Sequence, residues 1–323
     1  MPSYEIGTLI RKLRKQKGIS QEDLAYPILD RSTLSKIERG KATPHTKTLE
    51  YLLERLGLDH SELIKKFLAP DDLEAHLVVE ELTVLLSTVV RSIPPEDKKI
   101  FSNKVSGLIE QLESNQEFAA HPLNRQFILD ARARLAFNLK EDDKAAALAK
   151  EALEIVVPNF CEKDIGSYYL NRTCMNMINL LALIHNEAGR FTEAIDILYG
   201  LKEYIYNTYN ELRARANDGA PAIMNLAMTL VKANRPQEAY DLCEEGIQLC
   251  LKSRVYFFFK GLAWQQARAL FKLGKVEEGV ELSRKLYYAF DVHRDDFGKN
   301  FIQETVLAET GIDVGKPWIQ EQL

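Results

Sequence analysis

The chain has 323 residues, 46% hydrophobic and 28% charged, which is apolar material enough for packed cores in about two domains. Lys and Arg number 42 against 47 Asp and Glu, a formal net charge of -5, so this is no polybasic tail protein. No stretch approaches the roughly 18–20 apolar residues of a membrane span, and the N-terminus has neither an apolar signal core nor a cleavage site, so a cytoplasmic protein with no membrane partner is expected.

The charge is unevenly placed. Residues 1–68 hold 13 Lys/Arg and 9 Asp/Glu, whereas the remainder holds 29 and 38. A basic head on an acidic body predicts that only the head meets a polyanion. Almost every window repeats its apolar residues at helical spacing. Ile6, Leu9, Ile10 and Leu13 give the first helix its apolar stripe, and Gly18 ends it. Ser20 caps a second helix, Gln21–Ala25, whose Leu24 and Ala25 turn inward. Asp30 caps a third, Arg31–Glu38, which Gly40 terminates. Leu34 and Ile37 share one face of that helix. Arg31, Ser32, Ser35 and Lys36 share the other, the face that a recognition helix lays in the major groove.

The string Leu13-Arg14, Gly18-Ile19-Ser20-Gln21-Glu22, Leu24-Ala25, Ser32 to Gly40 and Pro44 resembles the XRE/lambda-repressor-like helix-turn-helix family over residues 5–68. The resemblance implies a five-helix DNA-binding domain over residues 1–68 and an internal ion pair between Arg14 and Glu38. It implies that Gln21 donates to phosphate and that Arg31 and Lys36 read bases, since a basic side chain there reaches guanine O6 and N7. Ser32 and Ser35 read bases or pack, and Thr33, Arg39 and Lys41 touch phosphate. The sequence departs from the family at Tyr26-Pro27-Ile28-Leu29, a turn one residue short and without glycine.

Ala69-Pro70-Asp71-Asp72 marks a boundary, so residues 69–76 are expected as a linker and 77–323 as a second domain. A long amphipathic stretch runs from about Leu73 to Arg91 and stops at Pro94-Pro95. Helices then pair up. The segments beginning at Glu187, Lys232 and Lys272 align, each with a helix end, a Gly or Asn suited to a left-handed cap, a basic residue, and a second helix opening on Glu-Ala or Glu-Gly. A weaker copy begins at Asn138. A small residue, Ala145, Ala194, Ala239 or Gly279, lets the paired helices approach. Copies are 49, 45 and 40 residues apart, longer than the tetratricopeptide repeat of about 34, so they are similar to tetratricopeptide-type repeats with lengthened helices. Stacked pairs of this kind form a right-handed superhelix with a concave ligand groove.

Head turn and repeats together resemble the Rgg/PlcR-like peptide-sensing regulators of Gram-positive bacteria, the RRNPP-type quorum-sensing receptors, over the whole chain. That resemblance implies five such repeats and inner-helix asparagines that bond a peptide backbone. Asn179 precedes Arg190 by 11 residues, and Asn225 precedes Arg235 by 10, so the two are expected on one concave wall. A primary amide both donates and accepts, as an extended main chain requires. Gln265 lies at the equivalent offset from Lys275. Arg172, Tyr168, Arg132 and Lys260 are candidate carboxylate or side-chain contacts from inner helices.

Catalytic chemistry finds no residues to carry it. The six histidines are scattered, with no HExxH, and no GxGxxG or GxxxxGK[ST] loop is present. Cys161, Cys174, Cys243 and Cys250 form no CxxC pair and are expected as reduced, buried thiols, so no metal or cofactor is expected. His185 reads as a satisfied polar histidine, and Phe257-Phe258-Phe259, Trp264 and Tyr287-Tyr288 as repeat-interface core. The expectation is an all-α transcription regulator, a homodimer on an inverted-repeat operator in duplex DNA, governed by a short signalling peptide. Two alternatives fit the same residues: a regulator answering to a small molecule or a protein, and a repeat protein that sequesters a signalling partner.

Overall fold

Helix caps written into the sequence set the first boundaries of this computed structural model, which describes residues 3–57, 73–86 and 95–316. Every regular element among the described residues is helical. The chain divides into two units, Met1–Ala188 with Asn207–Asn210, and Gly189–Tyr206 with Glu211–Leu323.

The first unit begins with α1 (Ser3–Gln16), α2 (Gln21–Ala25), α3 (Arg31–Glu38) and α4 (Thr46–Arg55). The bounds of α2 and α3 are those expected from the caps: Ser20 Oγ accepts the Asp23 amide at 3.0 Å, and Asp30 Oδ1 accepts that of Thr33 at 2.8 Å. Ile6, Ile10, Leu24, Ala25, Leu34 and Ile37 are buried between these helices. The crossing of α1 over α3 depends on Gly7, where an added Cβ would lie 2.0 Å from the Ile37 carbonyl oxygen. The fifth head helix, and the expected linker as far as Asp72, lie outside the described residues.

The unit continues with α5 (Leu73–Leu86), α6 (Pro95–Ser114), α7 (Gln116–Ala120), α8 (Pro122–Asn138), α9 (Asp142–Glu154) and α10 (Arg172–Glu187). Val78, Leu82 and Leu86 of α5 pack with Val105, Ile109 and Leu112 of α6 and Ile128 of α8 as one core. Residues 87–91 of the long stretch expected to reach Arg91 lie outside the described residues.

The second unit holds α11 (Phe191–Thr208, as far as Tyr206), α12 (Leu212–Lys232), α13 (Pro236–Ser253), α14 (Phe259–Lys272), α15 (Val276–Val292) and α16 (Asp296–Thr310). The repeat register read from the sequence appears directly in the backbone. Lys140, Gly189, Asn234 and Gly274 all take positive φ, at 65°, 75°, 59° and 77°. Ala145, Ala194, Ala239 and Gly279 are buried five residues later. At Gly279 a Cβ would meet the Phe271 ring at 2.4 Å, which is why glycine replaces alanine there. A further copy escaped the sequence alignment: Arg294 turns with φ 54°, and a Cβ added at Gly298 would meet the Phe290 ring at the same 2.4 Å.

Three expectations need correction. Cys161 is exposed, because α9 ends at Glu154 and residues 155–164 run as irregular turns, whereas Cys174, Cys243 and Cys250 are buried. Phe257 is 67% exposed, since it stands in the turn before α14 and meets the Phe258 ring rather than a helix seam. Tyr288 is exposed on α15, while Trp264 is core and packs edge-on against Phe301 at 5.7 Å. His185 finds Glu162 at 3.3 Å.

Candidate nucleic-acid interface and peptide contacts

A buried ion pair holds the recognition helix in place. Arg14 Nε donates to Glu38 Oε1 at 2.5 Å and Nη2 to Oε2 at 3.0 Å, while Nη1 donates to the Ile19 carbonyl at 2.9 Å. The Gln21 amide adds a bond to Glu38 Oε2 at 2.7 Å. One carboxylate thereby joins α1, the opening of α2 and the end of α3. Bidentate geometry and the added amide satisfy a charge that burial would otherwise make costly. Gln21, expected at a phosphate, has its amide on Glu38.

The short turn between α2 and α3 is closed without glycine. Amides of Ile28 and Leu29 both donate to the Ala25 carbonyl, at 3.0 and 2.8 Å. Buried Tyr51 of α4 donates its hydroxyl to the Tyr26 carbonyl at 2.5 Å, and Arg55 donates to the same carbonyl. Sequence reading missed this support, because it comes from a helix some 25 residues downstream of the turn.

On α3 the expected DNA contacts fall into two groups. Arg31, Ser32 and Lys36 are exposed, as is Lys41 just beyond the helix. The Ser32 and Thr33 hydroxyls and the Thr33 amide bond the Asp30 carboxyl and hold it well below the usual carboxylate range. Ser35 accepts from Arg39 through both its carbonyl, at 3.0 Å, and its hydroxyl, at 2.9 Å. Ser32, Thr33 and Ser35 thus stabilise the helix and its neighbouring side chains. Arg31 and Lys36 make no ion pair among the described residues.

The expected peptide contacts divide between the units. In the first, Asn179 is half-buried on α10, and Arg172 opens that helix with its backbone amide on Glu54 at 2.8 Å. Arg132 of α8 is exposed and forms a bidentate pair with Glu113 at 2.8 and 2.6 Å. Tyr168 is not on an inner helix: it follows a 3₁₀ turn, and its hydroxyl accepts the Cys161 amide at 3.0 Å. In the second unit, Asn225 of α12 and Gln265 of α14 are each 8% exposed. Lys260 Nζ sits 4.2 Å from the centre of the Phe290 ring and 3.6 Å from Asp295. Sequence reading passed over Arg268, which donates to Gln265 Oε1 at 3.2 Å and whose pKa burial pushes down. Its signal was positional, one helical turn from Gln265.

A Helix-turn-helix family model matches residues 10–63. Over 60 residues the chain is 37% identical to y4dJ, an uncharacterized HTH-type transcriptional regulator of Sinorhizobium fredii, a match covering 18% of this chain and 78% of that protein. The fold is similar to PlcR of Bacillus thuringiensis in complex with the peptide PapR7 and DNA, with a TM-score of 0.59 and 18% identity over 93% of this chain and 99% of that one. It is also similar to the apo competence regulator ComR from Streptococcus vestibularis, with a TM-score of 0.53 and 15% identity over 96% and 99%. At these identities the likeness is one of fold: a helix-turn-helix head followed by tetratricopeptide-like helices. Among the described residues no helix is long and apolar enough to cross a membrane.

Proposed function

The chain belongs to the helix-turn-helix transcriptional regulators, and on that premise we propose that it is a cytoplasmic quorum-sensing receptor, binding duplex DNA through α3 and a short signalling peptide through its repeat helices. The observation that carries this reading is the fold likeness across 93% of the chain to a protein seen with both a peptide and DNA. Lys36 and Arg31 are the base readers, each able to reach a guanine edge. Gln21, Thr33, Arg39 and Lys41 are the phosphate contacts of this reading, and Ser32 and Ser35 read bases or pack. A homodimer presents two such heads to an inverted-repeat operator, since operator symmetry mirrors protein symmetry.

For the peptide, the candidate contacts are Asn225, Gln265 and Lys260 in the second unit and Asn179, Arg172, Tyr168 and Arg132 in the first. Amides of Asn and Gln match the alternating donors and acceptors of an extended main chain. The peptide governs DNA binding by favouring one of two arrangements of the repeat helices, an effect limited by its differential affinity for them. The test is isothermal titration of the full chain with synthetic peptides encoded by small reading frames beside its gene. Saturable binding by one of them, weakened about 5- to 150-fold in Asn225→Ala, is the expected result. Heat from none of them, or equal affinity in the variant, contradicts the peptide reading.

A further inference from the structure

A cleft of about 560 Å³ opens between α1 and α3, beside the recognition face. Arg11 and Lys15 stand one turn apart on its α1 wall, and Arg31, Ser35 and Arg39 follow at four-residue intervals along its α3 wall. At its floor Arg14 and Glu38 neutralise each other. The rim therefore carries four exposed cations, Arg11, Lys15, Arg31 and Arg39, against one exposed carboxylate, Glu22. Neither Arg11 nor Lys15 joins an ion pair among the described residues. Ser32 and Lys36 are exposed on α3 but do not line the cleft, so the helix has a cleft side and an open side.

We infer that this cleft grips the phosphodiester backbone of the duplex that α3 reads, with Arg11 and Lys15 as backbone contacts that the helix-turn-helix pattern does not specify and Arg31 at the edge between cleft and groove. The inference rests on the DNA-binding reading above. Cations held across a cleft repel one another until an anion lies between them. Arginine forks suit phosphate oxygens in particular. A duplex is the occupant favoured by position: the cleft adjoins the groove-reading face, and α3 is shared by both. Backbone contacts of this kind fix register and add affinity without choosing sequence.

The experiment uses the full chain and a fluorescent duplex of random sequence, titrated from 50 to 200 mM salt, with Arg11→Gln, Lys15→Gln, the double variant, and Lys12→Gln as control. Lys12 is exposed on α1 but outside the cleft. Each lost contact should lower the slope of log affinity against log salt by about 0.9, so the double variant should lose about 2 while Lys12→Gln changes little. Sites selected from a randomised duplex pool should be the same for parent and double variant, and their melting temperatures should agree. A slope unchanged in the double variant, or lowered as much by Lys12→Gln, overturns the inference, while a Lys36→Ala variant that still loses site preference leaves the DNA-binding reading standing. A parent with no salt-dependent duplex binding sinks both. Inorganic phosphate provides the second arm: if it protects the parent but not the double variant from heat, while duplex affinity is the same in both, the cleft serves a free phosphate and the backbone assignment fails.

Discussion

Glu38→Ala should loosen the head selectively, and its magnitude follows from the surroundings of Arg14. Arg14 is 9% exposed and Glu38 4%, and the pair is joined at 2.5 and 3.0 Å. Removing the carboxylate leaves the guanidinium with the Ile19 carbonyl and deprives the Gln21 amide of its acceptor. Breaking one side of a buried pair costs about 3–5 kcal/mol, because an uncompensated charge stays behind. That is a large share of the roughly 5–15 kcal/mol that holds a whole domain folded. Hydrogen exchange on the full chain resolves the effect by region. Amides of α1, α2 and α3 should lose about two to three and a half orders of magnitude of protection, at one order per 1.4 kcal/mol. Those of α13 and α14 should exchange as in the parent. Adding Arg14→Met should recover much of the loss, since no buried charge is then left alone. Unchanged protection in Glu38→Ala together with lost DNA binding would refute the reasoning and make Glu38 a contact rather than a brace.

Three further outcomes are expected. Gly279→Ala and Gly298→Ala each place a methyl 2.4 Å from a phenylalanine ring, so each should destabilise the second unit by about 1–3 kcal/mol in denaturant titration; a change below a few tenths would show that the seams yield freely. Asp30, whose carboxyl is held low by the Ser32 and Thr33 hydroxyls, contributes stability above the ordinary carboxylate pKa that is lost as pH falls through its folded value. Asp30→Asn keeps a cap but not the charge, so head protection should fall between pH 5 and pH 2 more in the parent than in the variant, and parallel curves would count against the assignment. Lys36→Ala should cost about 1–3 kcal/mol on a selected site and relax preference at one base pair, whereas equal losses on selected and random duplexes would make Lys36 a phosphate contact.

Local chemistry made most of the fold legible. Ser20 and Asp30 announce the starts of α2 and α3 because a side-chain oxygen must take an orphan amide there. Gly189, Asn234 and Gly274 announce repeat turns because few other residues take positive φ cheaply. The same reasoning explains what was missed. Arg294 turns at φ 54° without the residue type that advertises it, and Lys140, at φ 65°, left the copy beginning at Asn138 weaker for the same cause. Gly7 permits a helix crossing that no local pattern encodes, and Tyr51 holds a carbonyl far back in the chain. In the candidate sites, charge and exposure were legible at Arg31 and Lys36, and the partners of Thr33 and Ser35 lie three and four residues away in the chain, whereas the acceptor that takes the Gln21 amide, Glu38, lies 17 residues on. Arg268 was hidden because a lone arginine on a helix gives no sign that it will be half-buried beside Gln265.

The most direct measurement is the affinity of the full chain for a selected duplex, by fluorescence anisotropy at fixed salt, with and without the peptide found by titration. If DNA and peptide communicate through the repeat helices, the peptide should change DNA affinity by a factor of roughly 5–150, in either direction, and the duplex should change peptide affinity by the same factor. Asn225→Ala should retain DNA affinity without peptide and lose the response at a peptide concentration that saturates the parent. Identical DNA affinities with and without saturating peptide would contradict the account, leaving a DNA-binding head and a peptide-binding body that do not speak to each other.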